Sequence, residues 1–480
     1  MRLRFCLPLI VSVSLCLYSC AGRTALRLEK LEDVVRNGDY LTAIEKIKKN
    51  PKMYGKASSF LYYMDLGVLF HYAGLYDSST VYLQRSADIH HELFARSLTN
   101  EAAAVMVNDL VRPYRSKPYE IVLMHQIIAI NYLVQGKTDE ALVETRRVQL
   151  LLDEWDRKDK AETKYSSDPM FHFFSSIAYD AAGEFDNAAI SLFKSIQAFK
   201  NGPLQLPSRI KDYAYYQLLL NDRASDIELL NIKADLPESN ITELGNNNSE
   251  IIIIGYGGKG PSLDENTWSG TYIKDGLLVL NHTAPDGKVE TISTLAPPLP
   301  ETQQEREKGE KTSSGTTFHI KFALPAMKVS PSKTESFSVR CTGTGMEYKS
   351  IVINDLEKQL QKYLQDTRAA TVTRTTIRVV LRTIASQRAK ASIQTESPFA
   401  NLLLNIGTDV LTDQMERADI RSCFLIPQTV QIVRIPVKPG TYTLDVAAHD
   451  KSGAVINKRQ FADVTLKPQE KKYIVYSSFK

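Results

Sequence analysis

Cysteine is scarce in this chain. There are five in 480 residues, and Cys6 and Cys16 fall within the opening apolar stretch. Beyond Cys20 only Cys341 and Cys423 remain, too far apart in sequence to suggest a metal site, and sequence leaves open whether they pair. Charge of one sign is also missing: 59 Lys and Arg stand against 55 Asp and Glu, a formal net charge of +4. That excess is too small for a dedicated nucleic-acid binder. After the first twenty residues no run is long and apolar enough for a transmembrane helix. Hydrophobic residues at 43% and charged residues at 24% sit near globular averages, which argues against a disordered or fibrous chain. A chain of this length is expected to form two or three domains.

What is present begins with Met1-Arg2-Leu3-Arg4 followed by an apolar run from Phe5 to Leu17. A basic start and an apolar stretch too short to span a bilayer make a signal peptide over residues 1–19. The run ends Leu17-Tyr18-Ser19-Cys20-Ala21, which resembles the bacterial lipobox, with Tyr18 bulkier than the small residue usual there. The resemblance implies lipidation of Cys20 and cleavage before it, with Leu17, Ser19 and Ala21 as the recognition context. Residues 20–25 then form a lipidated tether. Ala21 after the cysteine implies the outer membrane, facing the periplasm. Two or more acyl chains, at roughly 0.8 kcal/mol per buried methylene, make such an anchor stable.

Residues 26–235 have helical periodicity and little Gly or Pro. One cluster recurs, a Gly followed five positions later by a small residue: Gly38 with Ala43, Gly74 with Ser79, Gly136 with Ala141, Gly183 with Ala188. It resembles the tetratricopeptide repeat, whose paired helices need Gly at the turn and small residues where backbones approach. Only the first spacing is near the ideal period of about 34 residues, so four or five divergent hairpins are expected. An extra helix over 100–111 and a closing helix over 210–230 complete this part. Stacked hairpins present a groove that suits a peptide or protein partner, or serve only as a rigid scaffold.

Residues 236–249, with Asn246-Asn247-Asn248, read as a linker. The run Ile251-Ile252-Ile253-Ile254 signals a buried strand. Further strands are expected over 272–281, 318–324, 336–341, 430–437, 441–446, 455–466 and 473–476. The segment 295–316 should be a loop. Helical periodicity over about 353–421 suggests three helices, at 356–364, 369–391 and 401–417. The fold class expected is therefore α+β multidomain: an N-terminal tetratricopeptide-like helical solenoid, then a β-sandwich-like domain over 250–480 with a helical insertion.

Ala418-Asp419-Ile420-Arg421-Ser422 before Pro427, with Val430-Gln431-Ile432 and Pro439-Gly440-Thr441-Tyr442, resembles the signature of an uncharacterised bacterial lipoprotein family with N-terminal tetratricopeptide-like repeats. Gly258-Lys259-Gly260-Pro261 and the Arg-rich helix around Arg374 are similar too. Cys423 stands where that family usually has an aromatic residue. The resemblance implies a cell-envelope protein with no assigned activity, often encoded near activators of peptidoglycan synthases.

Enzyme signatures find little footing. Gly255-Tyr256-Gly257-Gly258-Lys259-Gly260 matches G-x-G-x-x-G, but Pro261 and polar residues follow where a helix must open, so a turn is expected and no nucleotide. His90-His91-Glu92 lacks the spacing of a zinc helix, because Ala95 takes the place of the second ligand. Arg374, Arg378 and Arg382 share one helical face and must meet either an anionic partner or internal carboxylates such as Asp355, Glu357 or Asp419. Asp419 and Arg421 are expected to brace a helix-to-strand junction. The sequence therefore suggests a non-enzymatic, lipid-anchored adaptor or scaffold without metal or cofactor, binding a protein partner in the envelope. The alternative is a structural or assembly subunit of an envelope machine.

Overall fold

A computed structural model of the chain describes residues 31–55, 57–97, 112–158, 168–202, 204–235, 249–272, 277–284, 286–295, 318–329, 332–393 and 417–480. The expected signal peptide, the expected tether with Cys20, the expected helix over 100–111, and the expected helix over 401–417 apart from Arg417 lie outside these residues. So do the expected loop over 295–316, apart from Leu295, and the expected linker, apart from Ser249. The described part is α+β, with helices first and sheets after.

Helical residues 31–36 pair with α1 (Tyr40–Lys49), and four further hairpins follow. They are α2 (Ser59–Tyr72) with α3 (Tyr76–Ser97), α4 (Pro118–Val134) with α5 (Thr138–Lys158), α6 (Pro169–Ala181) with α7 (Phe185–Asn201), and α8 (Ser208–Leu220) with α9 (Ala224–Leu230). The second helix of one hairpin packs on the first helix of the next. Gly38, Gly74, Gly136 and Gly183 all sit at the turns with φ between 72° and 79°. At each turn the amide just after the glycine bonds back to a carbonyl five residues earlier, as in Leu75 N to Phe70 O at 2.9 Å. Ala43, Ser79, Ala141 and Ala188 are buried where the helices approach. A Cβ on Gly67 of α2 would lie 2.5 Å from Leu83.

The expected single helix over 210–230 is in fact the fifth hairpin. Asn221-Asp222 makes its turn without glycine: Asp222 takes φ 55°, and Arg223 N bonds to Leu218 O at 2.9 Å.

Twelve strands among the described residues form three four-stranded sheets. The central sheet has the order β12-β1-β9-β8, from β1 (Ser249–Lys259), β8 (Ile351–Asp355), β9 (Pro427–Val437) and β12 (Lys471–Ser478). Its β1 and β12 run parallel and its other pairs antiparallel. The outer sheet has the order β11-β10-β6-β7, from β6 (Ser336–Cys341), β7 (Glu347–Lys349), β10 (Gly440–His449) and β11 (Val455–Leu466). The third has the order β4-β3-β2-β5, from β2 (Ser262–Tyr272), β3 (Leu277–Thr283), β4 (Val289–Leu295) and β5 (Phe318–Lys328).

The isoleucine run explains the layering. Side chains alternate along a strand, so a strand apolar on both faces must be covered on both. Ile252, Ile254 and Tyr256 join one core with the helices, including Leu69, Ile127 and Phe173. Ile251 and Ile253 join a second core with Phe337, Val339, Leu444 and Val446 of the outer sheet. Helices, central sheet and outer sheet thus form three layers. The third sheet packs Trp268, Leu280 and Phe322 against Val372, Val379 and Val380 of a long helix, α10 (Leu356–Ile393).

Three expectations are corrected here. The helices expected at 356–364 and 369–391 are one helix, α10, because Gln365 to Arg368 holds no Gly or Pro, and Lys362 pairs with Asp366 at 2.9 Å across that stretch. The glycine run after Ile254 is strand through Lys259 rather than a turn. Its glycines serve close approach, since a Cβ on Gly255 would lie 2.5 Å from the Phe337 ring, and only Gly258 has positive φ, at 67°. The single strand expected over 272–281 is the end of β2 and most of β3. Most of β2, together with β4, β7 and β8, went unread because these stretches are short or carry polar residues.

Candidate functional site

The Asp-x-Arg-Ser element lies in residues 417–426, which have no regular secondary structure and run across the second and third hairpins before entering β9. Asp419 and Arg421 form a two-pronged ion pair, Nε to Oδ1 at 2.8 Å and Nη2 to Oδ2 at 2.7 Å. The remaining guanidinium nitrogen donates to the carbonyls of Ala57, at 3.3 Å, and Arg112, at 3.1 Å, and the group lies over the Tyr114 ring. Arg421 thereby ties the segment leading into β9 to the chain just before α2 and α4.

The backbone of this segment is held at alternate residues. Lys117 Nζ donates to Arg421 O at 2.9 Å, Cys423 N donates to Glu120 Oε1 at 3.2 Å, and Tyr72 Oη donates to Leu425 O at 3.3 Å. Glu120, in the first turn of α4, also accepts Lys117 N at 2.9 Å and the Tyr114 hydroxyl at 2.7 Å. This is the capping position that Pro118 at the helix start leaves available. Asp65 of α2 is fully buried nearby and accepts Tyr54 Oη at 3.0 Å. Burial pushes the Asp65 carboxyl well above the usual carboxylate range, opposed by the Tyr54 hydroxyl and the Leu425 and Phe424 amides. Burial, and then the Glu120 and Asp65 carboxylates, hold the Cys423 thiol well above its ordinary range.

A second buried cluster joins α6 to the central sheet. Arg434 of β9 forks onto Glu250 of β1, at 2.5 and 2.6 Å, and reaches Asp180 at 3.2 Å. Lys471 of β12 pairs with the other Asp180 oxygen, and the Arg434 guanidinium lies 4.4 Å from the Tyr213 ring centre. Neither this cluster nor its carboxylates stood out in the sequence. The signal that could have found it is Glu250 opening an otherwise apolar strand, where a charge needs a partner.

The arginines of α10 do not share one environment. Arg374 is exposed, Arg378 is 3% exposed beside the third sheet's core, and Arg382 is half-buried. The carboxylates offered for them are engaged elsewhere: Asp355 with Lys358 at 2.9 Å, Glu357 with Gln428 at 2.8 Å, Asp419 with Arg421. Cys341 and Cys423 are both free thiols, buried in the two different cores on opposite faces of the central sheet. His90 Nδ1 lies 2.7 Å from Ser116 Oγ, and burial first, then His91, lowers its pKa to about 4. Among the described residues no three His, Cys, Asp or Glu side chains cluster as metal ligands, and no helix is long and apolar enough to cross a membrane.

No protein-family model matches the chain, and no curated protein matches it.

Proposed function

We propose that the chain is a non-enzymatic, lipid-anchored adaptor or scaffold of the cell envelope. In this reading a tetratricopeptide-like array is held against a β-sandwich-like body and meets a protein partner through its second helices. One observation carries the reading: the array's inner face is already filled. Helices α2, α4 and α6 are buried on nearly every side, because the central sheet covers the face that their hairpin partners leave open. Tyr72 packs on Tyr256 and Phe479, Tyr40 Oη bonds Ser477 Oγ at 2.6 Å, and Asn354 bonds Gln126 at 3.4 Å. The second helices keep an outward face, with Val81 62%, Val143 51% and Leu150 69% exposed. Val143 and Leu150 stand two turns apart on one side of α5. The buried ionisable groups brace one element against another, which fits a scaffold.

Two measurements test this. Cys20→Ser should release the protein from membranes, and unchanged attachment with a normal mature mass would remove the lipid anchor from the reading. In-cell cross-linking and pull-down should recover an envelope protein with the wild type and lose it with the Val143→Asp, Leu150→Asp double variant. Capture that the double variant leaves intact would exclude this face of α5 as the contact surface.

A further inference from the structure

Residues 419–425 lie on the helices as a bound peptide lies on its receptor. The segment forms no ladder with a neighbouring strand, and its main-chain groups at Arg421, Cys423 and Leu425 are met by side chains of Lys117, Glu120 and Tyr72. Bonds to alternate backbone groups suit an extended ligand of almost any sequence, because the ladder groups are common to all residues. Selectivity comes from two side chains. Arg421, held by its own Asp419, fills a cradle of the Ala57 and Arg112 carbonyls, the Ser58 hydroxyl and the Tyr114 ring. Cys423, two residues on, is wholly buried, where a larger side chain would have to displace its neighbours. The receptor groups come from α2 and α4 and the chain just ahead of them, more than 290 residues away in sequence from the segment they hold.

We propose that this surface between the second and third hairpins is a peptide-binding site, filled in cis by residues 419–425 and selective for an extended Asp-x-Arg-x-small segment. The occupant is therefore part of this chain, and an extended segment of the same chemistry in another protein competes with it. The site lies on the inner side of the array, apart from the outward face of α5.

The test uses the full-length protein and a fluorescein-labelled peptide of residues 417–426, followed by anisotropy. The Asp419→Ala, Arg421→Ala double variant empties the cradle, so it should bind the peptide at least tenfold more tightly than the wild type, whose own segment competes. A peptide with Ala at the position matching Arg421 should bind at least tenfold more weakly. Equal binding to variant and wild type, no binding to a variant of native circular dichroism, or indifference to the peptide's arginine would each overturn the proposal. Should the double variant fail to fold, hydrogen exchange on the wild type decides. The Cys423 amide should exchange at least tenfold faster than those of Ile252 and Ile254 in β1, because a bound segment opens without the sheet. Equal protection would make the segment ordinary core and overturn the proposal.

Discussion

Arg434 Nη2 stands 3.2 Å from Asp180 Oδ2, joining strand β9 to the last turn of helix α6. A carboxylate at a helix C-terminus meets the negative end of the helix dipole, so Asp180 needs cations close by, and Arg434 and Lys471 supply them. Both partners are buried, and removing one side of such a pair leaves an uncompensated charge.

Arg434→Met should therefore cost about 3–5 kcal/mol, a range typical of broken buried pairs. The urea midpoint should fall with it. The further variant that also replaces Glu250 and Asp180 by neutral isosteres should recover part of the loss, since no buried carboxylate then lacks its partner.

Gly255→Ala should destabilise the packing of the central sheet on the outer one. The new Cβ would meet the Phe337 ring at 2.5 Å, and overfilling of this kind costs about 1–3 kcal/mol. Combining it with Phe337→Leu should return part of the lost stability, which a chemical denaturation series would show.

Acid should weaken the fold through His71. Burial lowers its pKa from 6.5 to about 4, with the bond to Asn131 opposing the shift. A depressed pKa gives stability that is complete above pH 6.5 and is lost as pH falls towards 4, amounting to about 3 kcal/mol. The His71→Gln variant, with the same measurement between pH 7 and 4, should show a shallower decline.

Asp65 acts in the opposite direction. Its raised pKa means the native state gives up the proton at a higher pH than the unfolded chain, so its contribution is full below the ordinary carboxylate pKa of 3.8 and is lost as pH rises through the folded value. Asp65→Asn should gain on the wild type between pH 4 and 8. A difference between the two that stays constant across this range would refute the raised pKa.

The two thiols should be inert while the protein is folded. Cys341 and Cys423 are buried and their pKa values are raised by burial, so neither presents a thiolate. Maleimide labelling should be negligible for both in buffer and complete in denaturant. Rapid labelling of Cys423 in buffer would show that residues 419–425 leave the helices often.

Glycine and alternation were the legible parts of this fold. Gly38, Gly74, Gly136 and Gly183 marked their turns because only a residue without Cβ takes positive φ at low cost, whereas Asn221-Asp222 made the same turn with residues common anywhere. The isoleucine run identified a strand covered on both faces, though not by what, since periodicity names no partner. Residues 356–393 read as two helices because the moderately polar stretch around Asp366 weakened the pattern, while the backbone continued unbroken. Asp419 and Arg421 stood out in the sequence, but Lys117, Glu120 and Asp65 did not. Charged residues on helices are ordinarily solvated, and only the distant segment that they hold takes them out of water.

The cover over the helices also sets an order of events. Tyr72 is synthesised 407 residues before Phe479, the residue it packs on. At roughly 10 residues per second a ribosome needs about 40 seconds to bridge that distance. Throughout this interval the chain lacks the strands that help to bury Tyr72, Leu69 and Ile127. The apolar side of the helical array is therefore closed last, once β1, β9 and β12 are in place.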